Sequence, residues 1–189
     1  MLDRKISNGG ELYYDWTSYD EISLEMALAV VASEDQRFPQ HFGFDFEMMG
    51  SAFKNNLKGR RIKGASTISQ QVAKNVFLWQ GRSYFRKMLE AWFTLLIEVI
   101  WGKQRILEVY LNVAEMGKGI YGAEAAAEQL FHKKASNLTR RESCLIAACL
   151  PNPLKRNAAR PSRYILNRAV TIERLESKLE YPGWVRHKR

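Results

Sequence analysis

The segment SYFRKMLEAWFTLLIEVIW, residues Ser83–Trp101, is the longest and most apolar helical pattern in the chain. Its apolar residues recur every three or four positions, and its second half is hydrophobic on nearly every side. Gly102 follows at the position where glycine most often ends a helix. Because a helix that is apolar all round is normally buried, we predict that Ser83–Trp101 is the central buried helix of the fold.

Helical patterns continue on both sides of this segment, and no run has a strand period long enough to indicate a sheet. Ser18-x-x-Glu21 and Thr139-x-x-Glu142 resemble capping boxes, which satisfy free N–H groups at a helix start. Asp45 is a further candidate cap. The predicted helices run from Ser18 to about Asp35, onward from Asp45, over Thr67–Phe77, Lys103–Val113 and Ala123–Phe131, from Thr139 to before Pro151, and from Pro161 to about Leu179. The predicted fold class is all-α, as one domain over residues 1–189.

Composition excludes several classes of protein. The chain has 189 residues, of which 46% are hydrophobic and 12% aromatic, with 12 glycines and 5 prolines. Disordered chains have few aromatic residues, and collagen-like chains are far richer in glycine and proline. The formal net charge of +9 indicates an anionic partner, which is a nucleic acid, a phosphorylated ligand or an acidic membrane surface.

Neither the cysteines nor the apolar runs indicate a disulfide or a membrane span. Cys144 and Cys149 are five positions apart, so in a helix their Cα atoms are about 8–9 Å apart, too far for a bridge. The longest apolar runs, Ala27–Ala32 and Thr94–Trp101, are shorter than a membrane-spanning helix. We expect a domain that is soluble or peripheral to a membrane, or the extramembrane part of a longer protein.

The first of three polar segments, Ser33–Asp45, places two carboxylates at the end of an apolar helix. A partly desolvated carboxylate has a raised pKa and is a better base, so Glu34 is a candidate general base. The alternative is that Glu34 and Asp35 are solvated helix-end charges. His41 is interpreted as a packed or capping histidine.

The second segment, Gly64–Asn75, opens a helix through three hydroxyl residues. Free N–H groups at a helix start favour an anion, and Lys74 follows one or two turns later. An ordinary capped surface helix is the alternative interpretation.

In the third segment, Arg82, Arg86 and Glu90 are spaced by four and share one helix face. Arginine clusters suit phosphate because the planar guanidinium binds two oxygens at once. An exposed salt-bridge ladder would have the same spacing. The three histidines are scattered, and the sequence contains no metal-binding, Walker or nucleophile-elbow motif.

In chain order these segments resemble the motifs of the family 51 peptidoglycan glycosyltransferases. The matching motifs are Glu34-Asp35-x-x-Phe38-x-x-His41-x-Gly43, Gly64-x-Ser66-Thr67-Ile68-x-Gln70-Gln71-x-x-Lys74-Asn75, Arg86-Lys87-x-x-Glu90-Ala91, Arg105-Ile106-Leu107-Glu108-x-Tyr110-Leu111-Asn112 with Gly117-x-Gly119-x-x-Gly122, and Glu142 with Leu145 before Pro151-Asn152-Pro153. Ser69 stands where many relatives have threonine, which keeps the hydroxyl. The length leaves no room for a following transpeptidase domain, which indicates the monofunctional branch of the family.

The resemblance implies a lysozyme-like fold with a larger helical lobe and a small jaw, at about residues 44–80, that faces the bilayer. Phe46, Met48, Met49 and Phe53 would suit lipid, and Lys58–Lys63 would suit acidic headgroups; an ordinary core is the alternative for the aromatic residues. Relatives begin with a membrane helix, so we expect a missing N-terminal anchor. The implied location is the bacterial inner membrane, with the catalytic domain on the periplasmic side.

The resemblance also implies a reaction, the polymerisation of lipid II with release of undecaprenyl diphosphate. In it Glu34 is the general base and Glu90 the second essential carboxylate. The residues that would bind diphosphate and sugar are Lys74, Arg82, Arg86, Lys87, Ser66, Thr67, Gln70, Gln71 and Asn75. A divalent metal, Mg²⁺ or Mn²⁺, would assist with Glu90 as its candidate ligand, and no organic cofactor is implied. The implied partners are lipid II, the growing glycan, an anionic membrane surface and other cell-wall or cell-division proteins.

Two other classes of function compete with this one. A lysozyme-like hydrolase shares the fold and an essential glutamate, but it would not need the cationic cluster from Lys74 to Lys87. A nucleic-acid-binding module would fit the net charge, but the cations are not gathered on one recognition helix, so we expect no nucleic-acid partner.

Overall fold

A computed structural model describes residues 11–57, 66–79, 81 and 83–179. This part of the chain is mainly helical, as predicted. Its α-helices are α1 (Leu24–Glu34), α2 (Phe46–Leu57), α3 (Ile68–Phe77), α4 (Tyr84–Ile100), α5 (Gly102–Val113), α6 (Ala123–Phe131), α7 (Arg140–Cys149) and α8 (Arg163–Glu176). Short 3-10 helices cover Tyr19–Glu21 and Ala135–Asn137.

A small three-stranded sheet accompanies the helices and was not predicted. Its strands are β1 (Tyr13–Tyr14), β2 (Glu115–Gly117) and β3 (Ile120–Tyr121), in the order β1-β3-β2. Strand β3 pairs in parallel with β1 and antiparallel with β2. Strands of two or three residues are too short to show a period of two, so the sequence pattern contains no signal for them.

Capping predictions succeed at two helix starts and fail at one. The Thr139 hydroxyl accepts from the Glu142 N–H in a full capping box, and Asp45 Oδ1 accepts from the Met48 N–H at 2.8 Å. Ser18, however, precedes the 3-10 helix, and α1 begins only at Leu24. The prediction that this helix starts at Ser18 is therefore wrong.

Two groups of helices build the core of the described residues. Helices α1, α7 and α8 contact one another, and α4 and α5 both pack on α3. Cys144 and Cys149 in α7 are free, as their spacing predicted, and both are buried. Within the described ranges, no helix is both long and apolar enough to cross a membrane.

The prediction that Ser83–Trp101 forms the central buried helix is wrong. Helix α4 covers most of that segment, but the residues it buries are Glu90, Thr94, Ile97 and Glu98. Most of its large apolar side chains are exposed, among them Phe85, Met88, Trp92, Leu95, Val99 and Ile100. The helix therefore packs with a mostly polar face, and its apolar face has no covering element among the described residues.

Polar contacts join α4 to its neighbours. Glu98 Oε1 accepts from Ser69 Oγ of α3 at 2.5 Å and from Lys103 Nζ of α5 at 2.6 Å. In the loop after α1, Gly43 has φ +77°, and a Cβ there would lie 2.8 Å from the Thr94 methyl group. Only glycine lets the loop approach α4 so closely. These contacts bring the loop after α1, the start of α3 and the inner face of α4 together.

Candidate active site

Glu34 is the last residue of α1, and its half-buried carboxylate meets α3. Gln71 Nε2 donates to Glu34 Oε2 at 3.0 Å, and Tyr110 OH donates to Gln71 Oε1 at 3.4 Å. Burial raises the pKa of Glu34, although the Gln71 hydrogen bond and the positive charge of Arg168 act in the opposite direction. A desolvated carboxylate with one fixed neighbour is suited to accept a proton.

Asp35 has a different role from its neighbour. Its side chain is buried, and Oδ2 accepts from the Ile68 N–H at the start of α3 at 3.0 Å. The His41 ring contacts the same carboxylate, with Nε2 3.0 Å from each oxygen. His41 is thus packed, as interpreted from the sequence, and Asp35 fixes α3 relative to α1. Only Glu34 of this pair meets the substrate-binding candidates.

The hydroxyl and amide residues of the second segment divide into two sets. Thr67 and Gln70 are buried and form a capping box at the start of α3, and Thr67 Oγ1 also donates to the Gly43 carbonyl at 2.6 Å. Their polar groups therefore stabilise the helix start and do not line the cavity described below. Ser66 is exposed beside them.

A cavity of about 340 Å³ lies between α3, α4, α5 and the loop after α7. Gln71, Lys74 and Asn75 of α3 and Arg86 of α4 line it, with Tyr110 of α5 on another wall. Four of the residues predicted to bind substrate therefore meet at one cavity. Gln71 lines the cavity and also donates to Glu34, so the candidate base lies at the edge of the cavity.

Lys74 and Arg86 give the cavity one cationic wall, and Glu115 lines the cavity as well. Burial lowers the pKa of Lys74, and the nearby charges of Arg86 and Lys87 act in the same direction, while Glu90 opposes them. Arg86 Nε is buried and has no hydrogen-bond partner among the described residues. A buried donor without a partner is unfavourable unless a ligand supplies the acceptor. The wall formed by Lys74 and Arg86 is therefore suited to an anionic group.

Glu90 is buried at 3% exposure, and its Oε1 is paired with Lys87 Nζ one turn earlier. An exposed salt-bridge ladder, the alternative considered for this segment, would not bury the acid. Lys87 itself is exposed and does not line the cavity. Arg82 lies outside the described residues.

The described residues do not form a metal centre by themselves. None of their His, Cys, Asp and Glu side chains gather in groups of three or more that could hold an ion. Glu90 offers one carboxylate, already paired with Lys87. Magnesium is often held by one or two carboxylates together with substrate phosphates. The site therefore fits a divalent ion only if a bound diphosphate supplies most of the ligands.

The sequence pattern assigned no role to two residues that contact this site. Tyr110 is buried against Gln71, and burial raises its pKa well above the usual value. Arg168 of α8 donates from Nη2 to the Ser33 carbonyl at 3.3 Å. Tyr110 belongs to a motif quoted above, which was a usable signal, whereas Arg168 stands alone in an amphipathic helix.

The jaw predicted for residues 44–80 stays a prediction. Phe46 is 75% exposed and Met49 is 41% exposed, whereas Met48 is half-buried. The side chain of Phe53 and the loop Lys58–Lys63 lie outside the described residues.

Comparison with known proteins shows that the chain is a glycosyltransferase. The family model described as "Transglycosylase" matches residues 3–176. The chain therefore belongs to the transglycosylase family, which confirms the resemblance drawn from the motifs. Its mainly helical structure is consistent with the lysozyme-like fold expected for that family.

Individual relatives agree with the family assignment. A protein of Xanthomonas campestris pv. campestris (strain B100), named biosynthetic peptidoglycan transglycosylase, is 55% identical over 94% of this chain and 72% of its own length. Proteins with the same name from Xanthomonas euvesicatoria pv. vesicatoria (strain 85-10) and Pseudomonas putida (strain F1) are 53% and 51% identical. Each covers 98% of this chain, over 77% and 80% of the respective relative.

Proposed function

We propose that this protein polymerises peptidoglycan glycan strands from lipid II. The observation that carries the proposal is the position of Glu34, a half-buried carboxylate tied by Gln71 to the edge of a cavity with a cationic wall. The names of the relatives support peptidoglycan as the product. A peptidoglycan-building enzyme works in the cell envelope, and we place this one at the periplasmic side of the inner membrane.

The transfer needs a base at the acceptor hydroxyl and an anion-binding site at the leaving diphosphate. Glu34 takes the proton from the 4-hydroxyl of the acceptor lipid II as that oxygen bonds to the anomeric carbon of the growing chain. The bond from this carbon to the lipid diphosphate breaks, the leaving oxygen keeps the electron pair, and the carbon is inverted. The raised pKa of Glu34 suits it to this step.

Lys74 and Arg86 are placed to stabilise the leaving diphosphate. Charge accumulates on this group in the transition state, where fixed cations have their largest effect. The buried Nε of Arg86 would donate a hydrogen bond to a phosphate oxygen. A diphosphate would also favour the charged form of Lys74, whose pKa is lowered by burial in the described structure.

Glu90 would act through these cations, because its carboxylate holds Lys87 and interacts with Lys74. A Mg²⁺ or Mn²⁺ ion, where present, would be bound by Glu90 and the substrate diphosphate and would supply further positive charge. Gln71 and Asn75 would contact the sugars from the cavity wall.

The membrane surface would be contacted by exposed apolar residues on two helices. Phe46 and Met49 of α2 are exposed, as are Phe85, Met88 and Trp92 of α4. Exposed apolar patches of this kind mark interaction surfaces, and a lipid-linked substrate requires an enzyme close to the bilayer. We propose that both helices face anionic lipid.

The test is a lipid II polymerisation assay on the chain and on Glu34→Gln. We expect glycan polymer from the unaltered chain and a loss of about 10²- to 10⁴-fold in the variant, the usual range for removal of a general base. Glu128→Gln, which alters an exposed carboxylate on α6, is the matched control and should retain full activity.

Two results would contradict the proposal. Full activity of Glu34→Gln would show that the base lies elsewhere. Cleavage of finished glycan without any polymer would indicate the hydrolase alternative.

A further inference from the structure

The last turn of α1, which carries Glu34, is fixed by two helices packed against it. The final four carbonyls of a helix lack partners within the helix and need them from elsewhere. The Ser33 carbonyl accepts from Arg168 Nη2 of α8 at 3.3 Å. The Ser33 hydroxyl in turn donates to the Ala147 carbonyl of α7 at 3.2 Å. Ser33, the residue immediately before Glu34, is therefore anchored to α8 through its carbonyl and to α7 through its hydroxyl.

Arg168 occupies an unusual place on α8. The buried residues of this helix include Ile165, Ala169 and Ile172, so half-buried Arg168 lies beside the inward apolar stripe. A guanidinium in that position loses part of its hydration, which is unfavourable unless it gains partners. Its positive charge is also favourable at the C-terminal end of α1, where the helix dipole is negative.

The charge environment of Glu34 comes from several elements. The titratable groups that interact electrostatically with it are Asp35 on its own segment, Lys74 on α3, Tyr110 on α5 and Arg168 on α8. Among the charged groups acting on the pKa of Glu34, Arg168 has the largest effect, and it lowers the pKa against the increase caused by burial. Asp35 adds to that increase.

We propose that Arg168 is a positioning residue for the base: it holds the last turn of α1 through the Ser33 carbonyl and places its positive charge where it acts on the Glu34 carboxylate. The inference rests on the proposed role of Glu34. Burial makes the carboxylate a stronger base, and the positive charge of Arg168 favours the deprotonated form, which is the form that can accept the proton.

The test varies the charge at position 168. Arg168→Gln removes the positive charge, and Arg168→Lys keeps it. Arg174→Gln removes the same charge from an exposed position of the same helix and is the matched control. The titration of Glu34 is followed by NMR of ¹³C-labelled glutamate carboxylates, with Glu34→Gln used for assignment, and polymerisation of lipid II is measured across pH.

We expect the NMR titration of Glu34 to move to higher pH in Arg168→Gln and to stay near that of the unaltered chain in Arg168→Lys and Arg174→Gln. The sign follows from the removal of a nearby positive charge, which disfavours the carboxylate. The acidic limb of the pH–rate profile should move in the same direction, and activity below neutral pH should fall by about 3- to 30-fold in Arg168→Gln.

An unchanged Glu34 titration in Arg168→Gln would overturn the inference, whatever happens to activity. An equal shift in Arg174→Gln would also overturn it, because net charge and not position would then be responsible. The proposed function fails on a different result, full polymerase activity of Glu34→Gln, so the two failures are distinguishable.

Discussion

Helices α1 and α4 are both rich in apolar residues, yet their surroundings are opposite. In α1 the residues Met26, Ala29 and Val30 are fully buried, and the helix ends in a carboxylate at the site. In α4 the buried residues are two glutamates, a threonine and Ile97, and most of the large apolar side chains are exposed. Small residues let α1 pack closely against α7 and α8, whereas α4 is attached to α3 and α5 largely by the polar contacts of Glu98, together with the stacking of Phe93 on Phe77.

The two helices therefore serve the site in different ways. Helix α1 is a rigid support, because a well-packed core holds the turn that carries Glu34. Helix α4 presents Glu90 to the cations of the cavity on one face and an apolar surface on the other. Substitutions can test the packing of α1 and the attachment and exposed face of α4 separately.

Loss of the polar attachment of α4 should destabilise the fold most. Lys103→Met leaves the buried Glu98 without its cation, although Ser69 still donates to it. Removing one partner of a buried pair lowers the free energy of unfolding by about 3–5 kcal/mol. Chemical denaturation would measure this loss.

The control for that experiment is Arg141→Met, which breaks a more exposed ion pair with Glu173. Its expected effect is within about 1 kcal/mol. A loss below about 1 kcal/mol in Lys103→Met would mean that the Glu98 contacts do not hold α4 in place.

The next prediction compares the same substitution, methionine to alanine, in the two helices. Met26→Ala removes a side chain with 0% exposure from α1, and Met88→Ala removes one with 66% exposure from α4. We expect a loss of about 2–5 kcal/mol for Met26→Ala and of no more than about 0.5 kcal/mol for Met88→Ala. The shift in the denaturation midpoint of each variant would give these values. Equal losses would show that the α4 face is covered in solution.

The contrast also explains which parts of the fold could be predicted from the sequence. Helical periodicity and the caps at Asp45 and Thr139 are local signals, so most helices were predicted correctly. Periodicity shows which residues are apolar but does not show whether another element covers them. The central burial of α4 was therefore predicted wrongly, because the sequence contains no local sign that Glu90 and Glu98 face inward.

At the site, too, the sequence pattern shows which residues are polar but not what surrounds them. Glu34, Lys74 and Arg86 carry chemistry that is visible in their motifs, and the structure brings them to one region. Thr67 and Gln70 have equally polar side chains but form a helix cap, which the motif alone does not reveal. Arg168 was missed because a single arginine in an amphipathic helix has the same pattern as a surface charge.

A weaker effect is expected from the apolar face of α4. It would be measured as the binding of the protein to vesicles that contain an anionic phospholipid. Trp92 is 59% exposed on this face, and Trp92→Ala removes a large side chain that would enter the interface. Burial of one such side chain contributes about 1–2 kcal/mol, so binding should weaken roughly tenfold. Tyr164→Ala, which removes a 60% exposed aromatic residue from α8, should bind as the unaltered chain does. Stability should be unchanged in Trp92→Ala, because the side chain is exposed in the folded protein. If Trp92→Ala kept full vesicle binding, the exposed face of α4 would not be a membrane contact, and attachment would depend on α2.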